Sequence, residues 1–343
     1  MTPQTKLALD QYFRTLGQLY GLPGPLEMGC KYNVSPNAQQ TLETRLQESS
    51  DFLRRINNVP VNELMGEKLG LGIGSPIAST TDTTQHDRQP IDPTIMDQLG
   101  YICTKTDFDS LVRYDKLDMW AKFADFQARM RDAILQRTAL DVMTVGFNGI
   151  SRAANSDRAA NPMLQDVNVG WLQKIRVNAP HRVLNEVADG SGEIQVGNSA
   201  TAQTGYKTLD AVVVDAVENM LDPWYREDTQ LVAVVGRKLM HDKYFPLINS
   251  AMAPTERLAM DALVSQMRVG NLTAMRVPGF PPDAVLVTRL DNLSRYYQTG
   301  GRRRTIVDNP KRDRIENYES SNDAYVVEDH GGACLIENIT LVE

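Results

Sequence analysis

The 343-residue sequence predicts an α+β fold, and three observations carry that reading. An apolar stripe at helical spacing runs over about 117–145, long for a single element. Helix and strand patterns alternate over 208–290, as in a compact α/β unit. The tail, 304–342, reverts to short strand-like runs. The length sets a prior of about two domains at roughly 100–200 residues each.

Residues 7–20 read as a short amphipathic helix, with Leu9, Tyr12, Phe13, Leu16, Leu19 and Tyr20 on one side. Gly21-Leu22-Pro23-Gly24-Pro25 stops it, and 22–38 reads as a linker that leaves this small element outside the main body. A second amphipathic stretch covers about 38–56, buried through Leu42, Leu46, Leu53 and Ile56, with Asn37 as its capping candidate. Leu69, Leu71 and Ile73 then alternate with Gly70, Gly72 and Gly74, which is strand periodicity. From Ser75 to about Gly100 the chain is polar, and alternation returns with Phe108, Val112 and Tyr114. Two strands joined by a long polar tip are expected. Loops in compact domains run to about 4–6 residues, so this tip is disordered or finds its partners on another molecule.

In the 117–145 stripe, Met119, Phe123, Phe126, Met130 and Ala133 recur at steps of three and four. At ~1.5 Å per residue such a helix spans ~40 Å. Gly146-Phe147-Asn148-Gly149 is expected to cap it. Residues 150–207 read as mostly irregular, with one helix at Val169–Val177. Further helices are expected at Leu209–Leu221, Lys238–Asn249 and Glu256–Gln266, and strands at Leu231–Val235, Met275–Val277 and Ala284–Thr288. In the tail, Arg304–Val307, Ala324–Glu328 and Cys334–Ile339 read as strands that pack back on the first domain.

Composition narrows the function classes. A net charge of −7 lacks the basic footprint of a nucleic-acid binder. Cys30, Cys103 and Cys334 are odd in number and widely spaced, which suits reduced thiols better than a disulfide framework or a zinc site. No apolar run marks a secretory signal or a membrane span. His86, His181, His241 and His330 form no i, i+4 pair, and no G-x-S-x-G elbow occurs. Gly70–Ser75 superficially suggests a phosphate loop, but Pro76 and a Thr-rich stretch follow it where a helix is required. Asp107 with Asp109, and Asp115 with Asp118, are pairs, whereas metal sites need about three or more converging ligands. No catalytic residue, metal or cofactor is therefore expected. Arg302-Arg303-Arg304 and Lys311-Arg312-Asp313-Arg314 form the one clear basic cluster. It serves phosphate contact or ion pairing with Asp308, Asp313 and Glu316, and the interleaved acids favour pairing. Trp120, Trp171 and Trp224 read as core or interface anchors, and Lys68 as a free surface lysine.

Several ordered strings resemble the major capsid proteins of Peduovirus-type tailed phages, over about residues 33–339. The most specific is Ser156-Asp157-Arg158 followed by Asn161-Pro162-Met163-Leu164-Gln165-Asp166-Val167-Asn168-Val169-Gly170-Trp171-Leu172-Gln173-Lys174. Others are Gln47–Leu53, Ser79–Thr83, Gly146–Gly149, Lys243–Pro246 and Glu316–Ser320. The resemblance implies the Hong Kong 97 (Johnson) capsid fold. Its parts would be an N-terminal arm at 33–60, an extended hairpin loop at 61–116, a peripheral domain with the spine helix at 117–207 and returning strands at 291–343, and an axial domain at 208–290. It also implies a leader, 1–32, removed by an internal scaffold-protease between Tyr32 and Asn33, a bond the prolines nearby place in an exposed linker. The function implied is a self-assembling icosahedral shell of pentamers and hexamers around double-stranded DNA. The shell would be built in the host cytoplasm, carry a portal protein and form part of the virion. Candidate contacts between subunits are Thr81, Asp82 and Arg88 in the hairpin tip, with Arg303 and Arg304. The acidic balance would keep packaged DNA from adhering to the wall. Two alternatives stand beside this reading: an encapsulin-like compartment protein on the same fold, and an enzyme built on the α/β domain.

Overall fold

The computed structural model describes residues 3–19, 29–68, 71–73, 78–81, 85, 88, 90, 94–96, 99–120, 126–201, 203–241, 243 and 267–342. The chain opens with α1 (Pro3–Leu19), β1 (Lys31–Asn33), α2 (Pro36–Glu48) and α3 (Asp51–Arg55). Short strands follow: β2 (Asn57–Val61), β3 (Met65–Glu67), β4 (Leu71–Ile73), β5 (Thr94–Met96), β6 (Gly100–Ile102), β7 (Thr104–Asp107) and β8 (Ser110–Arg113). Next come α4 (Tyr114–Trp120), α5 (Phe126–Asn148), α6 (Trp171–Asn178), β9 (Val183–Leu184), β10 (Ile194–Gly197) and β11 (Gly205–Tyr206). Then α7 (Leu209–Met220), α8 (Pro223–Arg226), β12 (Val232–Val235), β13 (Arg268–Val269), β14 (Leu272–Met275) and β15 (Val285–Thr288). The end is all strand: β16 (Leu293–Gln298), β17 (Arg303–Asn309), β18 (Arg314–Val327), β19 (Ala333–Ile336) and β20 (Ile339–Val342). Helix and sheet are thus mixed throughout, as the α+β reading expected.

The 14-residue β18 organises the first sheet. β16 and β17 lie end to end along one of its edges, while β7 and β8 occupy the other. β2 extends the sheet beyond β16, and β1 beyond β17. The second sheet runs β13-β14-β12-β15-β19-β9. Both its faces are covered: Val234, Leu286 and Leu335 enter one core, and Ala233, Val235, Val287 and Ile336 another. Burial on both sides explains the uninterrupted apolar run at 231–235. The tail therefore divides: β17 and β18 join the first sheet, but β19 pairs with β15, and β20 with β10. Of the three tail strands, that at Cys334–Ile336 lies in the second sheet, with Ala333 and Leu335 in the same core as Phe52, Phe147 and Trp171.

Several elements differ from their expected form for local physical reasons. The helix cap at the start of α2 is Ser35, whose hydroxyl accepts from Ala38 N at 3.4 Å, with Pro36 in the first helical position; it is not Asn37. The 38–56 stretch is two helices, broken where the Ser49 hydroxyl donates to Leu46 O at 2.7 Å. Helix α5 runs on through Gly146-Phe147 and ends at Asn148, and of the expected capping residues Gly149 closes it, its N donating to Val145 O at 2.8 Å. Gly146 is required by packing, because a Cβ there would lie 2.3 Å from Cζ3 of Trp171. Trp171 is fully buried, donates to Ser294 O at 2.9 Å, and meets Phe52, Phe147 and Tyr325 edge-on or tilted. Of the expected stripe, Met119 lies in α4 and is 66% exposed and Ala133 of α5 is exposed, while Ala139, Val142, Met143 and Phe147 of α5 enter the core. Phe123 and the helix at Glu256–Gln266 lie outside the described residues, as does most of Lys238–Asn249, which is helical over 237–241.

The small N-terminal element does not sit outside the body. Tyr12 and Phe13 of α1 are buried against Val34, Ala38, Leu117, Ile306 and Ile315. β3 pairs with β6 and β4 with β5, two short ladders that are both antiparallel. The return strand thus begins at Thr94, earlier than Phe108. Phe108 and Val112 belong instead to the edge of the first sheet.

Candidate functional site

The strongest electrostatic feature is an ionic cluster that fastens α2 to the first sheet. Glu43 lies on the buried face of α2, one turn from Leu46 and from Gln39. Its two carboxylate oxygens accept from Arg295 at 2.6 Å and from Arg302 at 2.7 Å. Arg295 also reaches Asp323 of β18 at 2.8 Å, and Arg302 reaches Glu319 at 2.6 Å. Arg304 donates to Asn317 at 2.5 Å beside Glu319. Three guanidinium groups thus face three carboxylates, all buried. Burial pushes the Glu43 carboxyl up, but Arg295 and Arg302 more than reverse this and hold it below its ordinary value. Glu319 is likewise raised by burial and brought lower by Arg302 and Arg304. Gln39 completes the attachment: its amide donates to Gln298 O at 2.9 Å and accepts from Gly300 N at 2.8 Å.

Sequence reasoning missed Glu43, Arg295, Glu319 and Asp323. The available signal was position: Gln39 and Glu43 fall in line with Leu46 on an otherwise apolar helix face. The basic cluster is corrected in its detail. Arg302 and Arg304 turn inward to partners other than Asp308 and Asp313, whereas Arg303 is exposed. Glu316 pairs with Arg314. Arg304, expected at a contact between subunits, is 7% exposed.

Tyr32 and Asn33 lie in a strand rather than a linker, Tyr32 half-buried and Asn33 exposed. Tyr32 stands opposite Arg304 and Asn33 opposite Arg303. Thr81 is half-buried and Arg88 exposed in the tip beyond β4, and Asp82 lies outside the described residues. Lys68 is not free at the surface: it is 9% exposed, and its ammonium donates to Val327 O at 3.3 Å. Trp171 is a core anchor and Trp224 is 45% exposed. Cys103 and Cys334 are buried and Cys30 is exposed, none of them in a disulfide.

The most specific string, 156–174, forms a loop and the start of α6. Asp166 accepts from Asp157 N at 2.7 Å, and Asn168 donates to Asp323 O at 3.0 Å, tying the loop to β18. With β7, β8 and α5 this loop walls an open groove of about 1050 Å³. Arg129, Arg137, Arg152 and Arg158 stand along it with Asp107 and Asp141. Among the described residues no group of three or more His, Cys, Asp and Glu could hold a metal ion. No described helix is long and apolar enough to cross a membrane.

Comparison with known proteins gives this architecture its class. Residues 8–339 match the family described as "Phage major capsid protein, P2 family". The chain is 49% identical to the "Capsid proteins" of Escherichia phage P2, covering 99% of this chain and 95% of that one. It is 37% identical to the "Major capsid protein" of Serratia phage KSP20, covering 99% and 97%. A subunit from "Satellite phage P4 procapsid including size determination (Sid) protein" superposes with a TM-score of 0.81 at 47% identity, covering 100% of this chain and 99% of that one. The molecule is a structural shell subunit of a phage, which sets aside the encapsulin-like and enzyme alternatives. It belongs to the P2 family of phage major capsid proteins.

Proposed function

We propose that this subunit builds its shell through a ribbon that needs a neighbouring copy. The carrying observation is the pair of ladders at 65–102. Each is a two-stranded sheet, and such ribbons alone are marginal in water. At the root, Met65 and Ile102 sit directly opposite each other, 62% and 59% exposed, while Tyr101 on the other side packs on Tyr296. A second copy covers that exposed pair, and Thr81, Asp82, Arg88 and Arg303 make polar contacts between subunits. In the Hong Kong 97 scheme, 33–60 is the arm, 61–116 the extended loop, 117–207 with 291–343 the peripheral domain, and 208–290 the axial domain.

Copies join as pentamers and hexamers around double-stranded DNA that they do not bind specifically, with no catalysis. An internal scaffold-protease removes 1–32 at the Tyr32–Asn33 bond, and a portal protein fills one vertex. Assembly takes place in the host cytoplasm. The experiment is co-expression with the scaffold-protease, imaging of the product and sequencing of its N-terminus. Closed shells whose subunits begin at Asn33 are expected; shells that keep residues 1–32 under active protease would remove the trimming step. Salt-sensitive DNA affinity of empty shells would count against passive enclosure.

A further inference from the structure

Helix α1 lies on a surface built by other elements. Tyr12 and Phe13 are 7% and 4% exposed against Leu117 of α4, Ile306 of β17 and Ile315 of β18. Gly17 shares that face, while Lys6, Asp10 and Arg14 face solvent and Leu7 is 66% exposed. The fit is loose. A cavity of about 30 Å³ remains beneath the aromatic pair, bounded by Val112, Ile134, Ile306 and Ile315. That is room for about one water.

The same N-terminal segment also shields a strand edge. β1 pairs with Arg303–Thr305 of the seven-residue β17, and Gly29 N donates to Ile306 O at 2.8 Å. The other edge of β17 is taken by β18. α1 therefore covers an apolar floor, and β1 beside it covers the backbone donors and acceptors along Arg303–Thr305. With β1 in place, the floor is what α1 alone hides, and such a floor favours association with another chain once uncovered.

We propose that α1 is an in-cis cover, and that displacing it opens the Leu117–Ile306–Ile315 floor beside the β17 edge to a second copy of this chain. A copy is the occupant because the protein is a shell subunit, whose neighbours are copies at high local concentration. The proposal rests on the shell reading but on no particular cut. Covered subunits keep the surface dry and unassociated there, and uncovered ones gain an extra contact.

The test uses the full chain with a protease recognition site inserted after Gly24, so that folding takes place with α1 attached. After cutting, the expected results are three. The α1 peptide leaves on gel filtration. Amide exchange over 114–118 rises about tenfold, while 303–305, still paired with β1, stay protected. Association, followed by light scattering, begins at a roughly tenfold lower protein concentration. The uncut Tyr12→Ala/Phe13→Ala variant gives the same shifts without a cut. A peptide that stays bound with exchange unchanged overturns the cover, making α1 ordinary core. Exchange that rises with no change in the onset of association overturns the occupant. Uncut chain that forms no shell at any concentration is a separate result and removes the shell reading itself.

Discussion

Arg295 and Glu43 meet at 2.6 Å across 252 residues of sequence, with side chains 2% and 3% exposed. This contact, shared with Arg302, joins the segment before the ribbon to the strands that follow the α/β region. Buried pairs of this kind carry a large desolvation cost and are stabilising only when complete. Glu43→Ala leaves two buried guanidinium groups short of a partner. It should cost about 3–5 kcal/mol, read by denaturant unfolding of the unassembled subunit. A loss below about 1 kcal/mol would mean that water replaces the carboxylate.

The same cluster sets a pH dependence. Glu43 and Glu319 are both held below their ordinary value of 4.5 in the folded chain. Their stabilising contribution is therefore fully present at neutral pH and is lost as pH falls below 4.5 through the depressed folded values. Amide exchange over 36–48 should be flat from about pH 8 to 5, after correction for intrinsic rates, and should rise in acid. Protection that already falls between pH 7 and 6 would point to another group.

Gly146 lies against the Trp171 ring in the core that also holds Phe52 and Phe147. Gly146→Ala drives a methyl into the Trp171 ring, and a cost of about 1–3 kcal/mol is expected, with near-ultraviolet dichroism of the indole changed. Unchanged stability and spectrum would mean that α5 and α6 slide apart without cost.

Thiol chemistry offers a simple check on burial. Burial pushes Cys103 and Cys334 up to about 12, whereas Cys30 is exposed. An alkylating reagent at neutral pH should label Cys30 quickly, and the other two only on unfolding. Rapid labelling of Cys103 would show that the ribbon root opens in solution.

How much of this was legible depended on what each segment buries. α7 and the strands β12 and β15 were read within a residue or two, because each is a continuous or regular apolar run that ends at a cap or turn. β18 was seen only at its end. Its first ten residues include Glu316, Asn317, Glu319, Ser320, Ser321 and Asp323, polar groups buried with partners such as Arg295, Arg302 and Arg304, which hydrophobic periodicity cannot register. β5 escaped because three residues after Pro93 hold no pattern. The 117–145 stripe misled for the opposite reason: Met119 and Ala133 are apolar yet exposed on the single subunit, and apolarity alone does not say which face is covered. The strings that resembled phage capsid proteins led to the right family, but not to the clustered charges beneath α2.

The central claim is that the ribbon at 65–102 completes itself on a neighbouring copy. The direct measurement replaces the exposed pair at its root, Met65→Asp with Ile102→Asp, and images the product by electron microscopy beside circular dichroism of the subunit. The account predicts a folded subunit that no longer closes shells, while the parent chain does. Closed shells of normal size from the double variant would contradict it.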